Sequence, residues 1–331
     1  MGKHSIKEVA KKAGVSISTV SRVLNNSAPV SEKLRRKVEK AIEELGYYPS
    51  HLAKSLRKGE TGTIGFILPD ITNPFFANIV RGAEDYLRNE GYNLILCNSD
   101  QNQMQEIELL KVLISKNIDG LLFTGTGSSN PLLLEKIQHG LKVVFLDRII
   151  QGINSSYVII DNKKGMNLLL DYLIGKGHKN FVFINGNKET FSARIRYETF
   201  VKRIRTENLK FKHYFTEFSY EAGYSKAKKL KELPDVILCG NDLIAYGVID
   251  ALEEKGYKVP EDVSVTGFDD IPFSKHFKPP LTTVYQPMYE MGKKAAELLL
   301  KIIKGEKLIN KGVILSPQLI IRESTKEMVN K

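Results

Sequence analysis

Ile6-Lys7-Glu8-Val9-Ala10-Lys11-Lys12-Ala13-Gly14-Val15-Ser16-Ile17-Ser18-Thr19-Val20-Ser21-Arg22-Val23-Leu24-Asn25 is the stretch on which the reading of this 331-residue chain turns. Its first half places apolar residues at helical spacing, and Gly14 follows where a helix ends in a left-handed residue. A second helix starts at once: Ser16 suits an N-cap with Thr19 three residues on, and Val20, Val23 and Leu24 line one face of Ile17–Asn25. Two short helices joined by a tight glycine turn have the helix-turn-helix shape. Opposite its apolar side the second helix carries Ile17, Ser18, Ser21 and Arg22, a surface that suits a DNA major groove.

Ser31 can cap a third helix, in which Leu34, Val38, Ala41, Ile42 and Leu45 recur at helical spacing up to Gly46. Three such helices build one small core, so a plain bundle with solvated lysine faces is the competing reading. Charge separates the two. Residues 1–60 carry 13 Lys/Arg against 6 Asp/Glu, so +7 of the formal +11 lies in under a fifth of the chain. Each Lys or Arg set on a phosphate releases condensed counterions, which makes nucleic acid the first partner to expect. A membrane surface is disfavoured, because the cations do not oppose an aromatic or leucine-rich face and no run of about 18 apolar residues exists. After Tyr47-Tyr48-Pro49, the basic stretch Ser50–Gly59 is too short for a stable isolated helix, and Leu56 among its cations is a candidate wedge for the minor groove once DNA orders it.

The stretch Ile6–Asn25 resembles the headpiece of the lactose repressor (LacI/GalR) family of bacterial transcription regulators. The resemblance implies a homodimer on a pseudo-palindromic double-stranded DNA operator. It sets Ile17, Ser18 and Arg22 against base edges and Ser5, Ser16, Ser21, Asn25 and Tyr47 against phosphates. It also implies a hinge helix over residues 50–60 that inserts Leu56, followed by Arg57, at the centre of the operator.

From Thr63 onward short β-branched runs alternate with amphipathic helices: Ile64–Leu68, Leu94–Cys97, Gly120–Phe123, Val143–Leu146, Phe181–Ile184, Val236–Cys239 and Ser264–Phe268. Alternation of this kind predicts parallel sheets covered on both faces. The series falls into two halves that meet near Asp161 and Asn162. The fold class expected is therefore an all-α helix-turn-helix headpiece (1–49), a hinge helix (50–60) and an α/β two-lobed core (61–331) of two doubly wound parallel sheets. Lobe 1 spans about 61–161 and 290–322, and lobe 2 about 162–289. Family likeness also returns the helix around Met291–Ile303 to lobe 1.

Ligands of such sheets sit beyond the carboxyl ends of the strands. Those ends supply Asn73-Pro74-Phe75-Phe76, Asp147-Arg148, Arg194 and Arg196, Phe218, Asn241-Asp242 and Asp269-Asp270, with Gln286 downstream. Rings that stack on C–H faces, beside groups that donate to and accept from hydroxyls, are what a sugar requires. This core resembles the periplasmic sugar-binding-protein fold shared by the repressor family. The resemblance assigns Phe75, Phe76 and Phe218 to stacking, and Asn73, Asp147, Arg148, Arg196, Asn241, Asp269 and Gln286 to hydroxyl recognition. It favours a pentose, ribose, as effector, with a purine or a hexose as the alternative, and no cofactor.

Other classes fare worse. Gly125-Thr126-Gly127 lacks the third glycine of a dinucleotide fingerprint, and there is neither a nucleophile elbow nor a phosphate-cradling loop. His4, His51, His139, His178, His213 and His276 are scattered without metal-ligand spacing. Cys97 and Cys239 each end an apolar run and read as buried thiols. A solute-binding protein without DNA function would explain the core but not the headpiece. With no apolar leader at its N-terminus, the chain is expected to remain in the cytosol.

Overall fold

The computed structural model describes residues 4–25, 28–47, 61–126, 130–149, 155–308 and 310–328. They fall into two compact units, Met1–Thr61 and Gly62–Lys331.

In the first unit, α1 (Ile6–Ala13), α2 (Ile17–Asn25) and α3 (Glu32–Leu45) enclose Val9, Ala10, Ala13, Val20, Val23, Val38 and Ala41. The helix starts are set by side chains. Ser5 and Glu8 form a reciprocal capping box on α1, with Ser5 N donating to Glu8 Oε2 at 2.6 Å, and Ser16 Oγ accepts from Thr19 N at 3.2 Å. Gly14 and Gly46 end α1 and α3 at φ 63° and 55°, in the region glycine enters without steric penalty. Ser31 differs from expectation: it occupies the N-cap position of α3 but makes no side-chain cap hydrogen bond. The hinge stretch at residues 50–60, with Leu56 and Arg57, lies outside the described residues.

The second unit is the expected two-lobed α/β core. Lobe 1 holds a six-stranded parallel sheet in the order β11 (Gly312–Leu315), β5 (Ser156–Ile160), β4 (Val143–Leu146), β3 (Gly120–Phe123), β1 (Thr63–Leu68) and β2 (Asn93–Asn98). Successive residues of a strand face opposite sides, and here both sides are covered. Ile64, Phe66 and Leu68 meet Ile79, Ala83 and Leu87 of α4 (Pro74–Asn89) and Met291, Ala295 and Leu299 of α11 (Met288–Ile303). Ile67, Leu121 and Phe123 meet Leu110 and Leu113 of α5 (Gln103–Ser115) and Leu133 of α6 (Pro131–Gln138).

Lobe 2 repeats the plan with β7 (Lys210–Phe215), β6 (Asn180–Asn185), β8 (Val236–Cys239) and β9 (Ser264–Thr266), all parallel. Phe181 and Phe183 face α7 (Asn162–Gly175) and α8 (Phe191–Thr206), while Val182 and Ile184 face α9 (Tyr220–Lys228) and α10 (Asp242–Glu254). An antiparallel ribbon of β10 (Thr283–Tyr285) and β12 (Gln318–Ile320) completes the chain.

The chain passes between the lobes at β5–α7, at β10–α11 and at β11–β12. The last passage comes earlier than the sequence suggests. Residues 318–322 were expected in lobe 1, yet β12 pairs with β10 and Arg322 donates to Asp270 at 2.7 Å, both on the lobe 2 side. Met328 N then reaches Lys176 O. Both cysteines are buried and free.

Candidate functional site

On the headpiece, α2 is divided as its spacing requires. Val20 and Val23 are buried, while Ile17, Ser18 and Arg22 are exposed and Ser21 is half-buried. Ile17 is 40% exposed, a large apolar side chain left in water. Ser5 and Ser16 stand at the N-termini of α1 and α2, where their hydroxyls cap the helices. Tyr47 packs half-buried on the headpiece core, and Asn25 is the last residue of α2.

In the core all ten expected ligand residues line one cavity of about 460 Å³, part of it open to solvent: Asn73, Phe75, Phe76, Asp147, Arg148, Arg196, Phe218, Asn241, Asp269 and Gln286. Most arrive there because a strand ends or a helix begins there, and Arg196 comes from the second turn of α8. Asn73 caps α4 by accepting from Phe75 N at 3.0 Å, and Asn241 caps α10 by accepting from Ile244 N at 2.9 Å; the caps use the amide oxygens and not the NH2 groups. Phe75 and Phe76 sit edge to face, 5.0 Å between centroids.

Two buried arginines face this space, each 4% exposed or less. Arg196 is held by three contacts: Nε donates to Asn162 Oδ1 at 2.7 Å, Nη1 to Gly240 O at 2.6 Å, and its guanidinium carbon lies 3.6 Å from the Phe268 ring centroid. Arg148 donates from Nη1 to Gly125 O at 2.6 Å, while its Nε stands 3.6 Å from Asp147 Oδ2, beyond hydrogen-bond reach.

Among the described residues, Asp147 Oδ1, Arg148 Nε and Gln286 Oε1 are buried without a hydrogen-bond partner. Buried polar atoms are nearly always paired, so three such atoms around one cavity mark it as built to bind polar groups. Backbone strain gathers here as well: Asp147, Asp269 and Asp270 have φ of 59°, 127° and 55°.

The comparisons with known proteins agree with both halves of the chain. Residues 5–50 match the model of bacterial regulatory proteins of the lacI family, and residues 170–325 match a periplasmic binding protein-like domain. The HTH-type transcriptional regulator RegA of Clostridium saccharobutylicum is 40% identical over 329 residues, 97% of this chain and 99% of RegA. The chain belongs to the lacI family of bacterial regulators. Among solved structures, the lac repressor dimer bound to operator and the anti-inducer ONPF superposes with a TM-score of 0.88 at 25% identity, over 98% of this chain and 99% of that one. A LacI family regulator from Enterococcus faecalis V583 with bound ribose superposes with a TM-score of 0.75 at 34% identity, over 81% of this chain and 100% of that one.

As a lacI-family member the chain is a DNA-binding transcription regulator with a small-molecule effector, and not an enzyme. Among the described residues, no helix is long and apolar enough to cross a membrane. Four more residues line the cavity than the sequence suggests: Pro69, Asp70, Gln101 and Ser192. Asp70 and Gln101 also follow strand ends, so the same rule reaches them; Ser192 is legible only once α8 is known to start at Phe191. Asn162 could not be found that way, because it acts on Arg196 rather than on the cavity.

Two buried carboxyl groups, Asp147 and Asp269, line the cavity beside the two buried arginines, Arg148 and Arg196. Burial pushes the Asp269 carboxyl well above the usual range, and the Arg196 charge opposes that rise.

Proposed function

We infer that this regulator is a repressor that binds its operator as a homodimer and is controlled by a small neutral sugar, ribose, held between the lobes. The observation that carries this reading is the set of buried, unpartnered Asp147 Oδ1, Arg148 Nε and Gln286 Oε1 around a cavity that also offers the rings of Phe75, Phe76 and Phe218. A pentose hydroxyl both donates and accepts, so one kind of group can satisfy acceptor and donor together. The ribose-bound relative supports the choice of sugar, and the operator-bound lac repressor dimer supports the assembly.

In mechanism, the ligand draws the lobes together by contacting Arg148 on one and Arg196 on the other, which turns the lobes about the three passages. In a dimer that rotation changes the spacing of the two hinge stretches at residues 50–60. Hinge folding at one spacing only couples ligand to operator, and release of DNA by ribose is the expected sign. The headpiece then reads bases with Ile17, Ser18 and Arg22, is steadied on phosphates by Ser5, Ser16, Ser21, Asn25 and Tyr47, and works in the cytoplasm. The hinge contributes Leu56 and Arg57.

Calorimetric titration of the full chain with ribose tests the assignment. Saturable heat and a raised melting temperature at millimolar sugar are expected; no heat with ribose, and heat with a hexose or a purine base, reassigns the effector.

A further inference from the structure

Glu106 is fully buried on α5, a helix that contributes no lining residue to the cavity. Burying a carboxylate is unfavourable unless donors and a cation compensate it, and here the compensation is specific. Glu106 Oε2 accepts from Thr126 N at 2.8 Å, and Oε1 accepts from Asn130 Nδ2 at 2.9 Å. Asn130 Oδ1 in turn caps α6 by accepting from Leu133 N at 3.0 Å. Burial raises the Glu106 pKa, against the pull of Asn130, Thr126 and the Arg148 charge.

The N–H of Thr126 and the C=O of Gly125 belong to one peptide group. That group is planar, and in its trans form the N–H and C=O point in opposite directions. Glu106 therefore accepts from one edge of the peptide plane, and the carbonyl at the opposite edge accepts the 2.6 Å hydrogen bond from Arg148 Nη1. A carboxylate on the amide hydrogen also polarises the carbonyl and makes it a stronger acceptor. A side chain at position 125 would not fit this arrangement, since an added Cβ would lie 2.5 Å from Phe123 Cε1 and 3.2 Å from Glu106 Oε2.

We propose that Glu106 is a positioning residue for the effector site: through the Gly125–Thr126 peptide it fixes the carbonyl that aims Arg148 into the cavity. Arg148 depends on that carbonyl more than Arg196 depends on any one partner, because Asp147 does not hydrogen-bond its Nε. The proposal rests on the reading of the cavity as a sugar site, but its structural consequence does not.

Two variants separate charge and geometry from packing. Glu106→Gln keeps the volume and removes the charge; Glu106→Asp keeps the charge and shortens the side chain. Crystal structures of both without sugar, and ribose titrations of both full-length proteins, form the test. The Gln variant is expected to show Arg148 displaced from Gly125 O and ribose affinity reduced about ten-fold, the scale of one hydrogen bond to a charged group. The Asp variant recovers most of that affinity. In an Arg148→Met background, Glu106→Gln causes no further loss. Arg148 unmoved in the Gln variant, or a larger loss with Asp than with Gln, overturns the proposal. Should the wild type give no heat with ribose, the sugar assignment falls, and the position of Arg148 in the two crystal structures still decides the role of Glu106.

Discussion

The two lobes solve the same construction problem in parallel, and they diverge at the arginine each offers to the cavity. Both pair two helices across a glycine contact. In lobe 1 an added Cβ at Gly82 of α4 would lie 1.9 Å from Tyr289 O, and one at Gly292 of α11 would lie 1.8 Å from Ile79 O. In lobe 2 the corresponding approaches are 2.2 Å from Gly223 of α9 to Ile244 O and 2.0 Å from Gly247 of α10 to Tyr220 O. Both lobes also place an Asn N-cap, Asn73 or Asn241, at the cavity. Arg196, however, uses two nitrogens and a ring face, whereas Arg148 makes one hydrogen bond, to Gly125 O, beside its ion pair with Asp147. Lobe 2 anchors its arginine at three points and lobe 1 by a single hydrogen bond, which makes the lobe 1 contact the easier to perturb from a distance.

Substitution by lysine sharpens that difference and is expected to have the largest effect. Lysine keeps the charge but loses the fork. Arg196→Lys should lower ribose affinity by about 100-fold or more, because one ammonium cannot replace the fork that reaches Asn162 Oδ1 and Gly240 O together. Arg148→Lys should cost about ten-fold. Calorimetry on both variants measures this, with operator affinity in the absence of sugar expected unchanged in each; equal losses would erase the contrast between the lobes.

Next in size come the shared glycine contacts. Gly82→Ala, Gly292→Ala and Gly247→Ala each force a methyl into a backbone oxygen, an overpacking of about 2–3 kcal/mol that should lower the melting temperature by about 5–10 °C. Thermal unfolding monitored by circular dichroism tests the parallel; a variant in one lobe that melts like wild type would show that its helices can slide apart.

A further test of lobe 2 comes from pH. Asp242, fully buried in lobe 2, accepts from Ser274 Oγ, Thr283 Oγ1 and Ile271 N, and burial lifts its pKa from 3.8 to about 6 despite those donors. The folded protein thus holds this proton more tightly than the unfolded chain. Its contribution to stability is complete below about pH 4 and is lost as pH rises through about 6, up to about 3 kcal/mol in all. Melting temperatures between pH 4 and 7 should fall less steeply in Asp242→Asn than in wild type; identical slopes would remove Asp242 from the account.

How much of this was legible beforehand depends on how local the signal is. The headpiece helices are specified by neighbours in sequence, through Ser16 over Thr19 and the left-handed Gly14, and they lie where the spacing puts them. The cavity is nearly as legible, because side chains that follow parallel strands must converge: Asp147-Arg148 follows β4 and Asn241 follows β8. β7 escaped because it is an edge strand whose Lys210, Lys212 and His213 remain in water, and β10, β11 and β12 because none of them is the four-residue, fully buried apolar run that marks β3, β4 and β8. β5 is a run of apolar residues, but its boundary with the second lobe drew attention to Asp161-Asn162 instead. The supports of the site, Glu106 and Asn162, lie 42 and 34 positions from the arginines they hold; the sequence marks Asn162 only as the junction of the lobes, and nothing near Glu106 marks it.

The central claim is that occupation of the cavity is felt by the headpiece. Operator affinity of the full-length protein, measured by mobility shift on a pseudo-palindromic duplex with and without saturating ribose, tests it most directly. The account predicts weakening by about 5- to 150-fold, the usual range of such coupling. Equal affinities in the two conditions, with ribose shown to be bound, would contradict it.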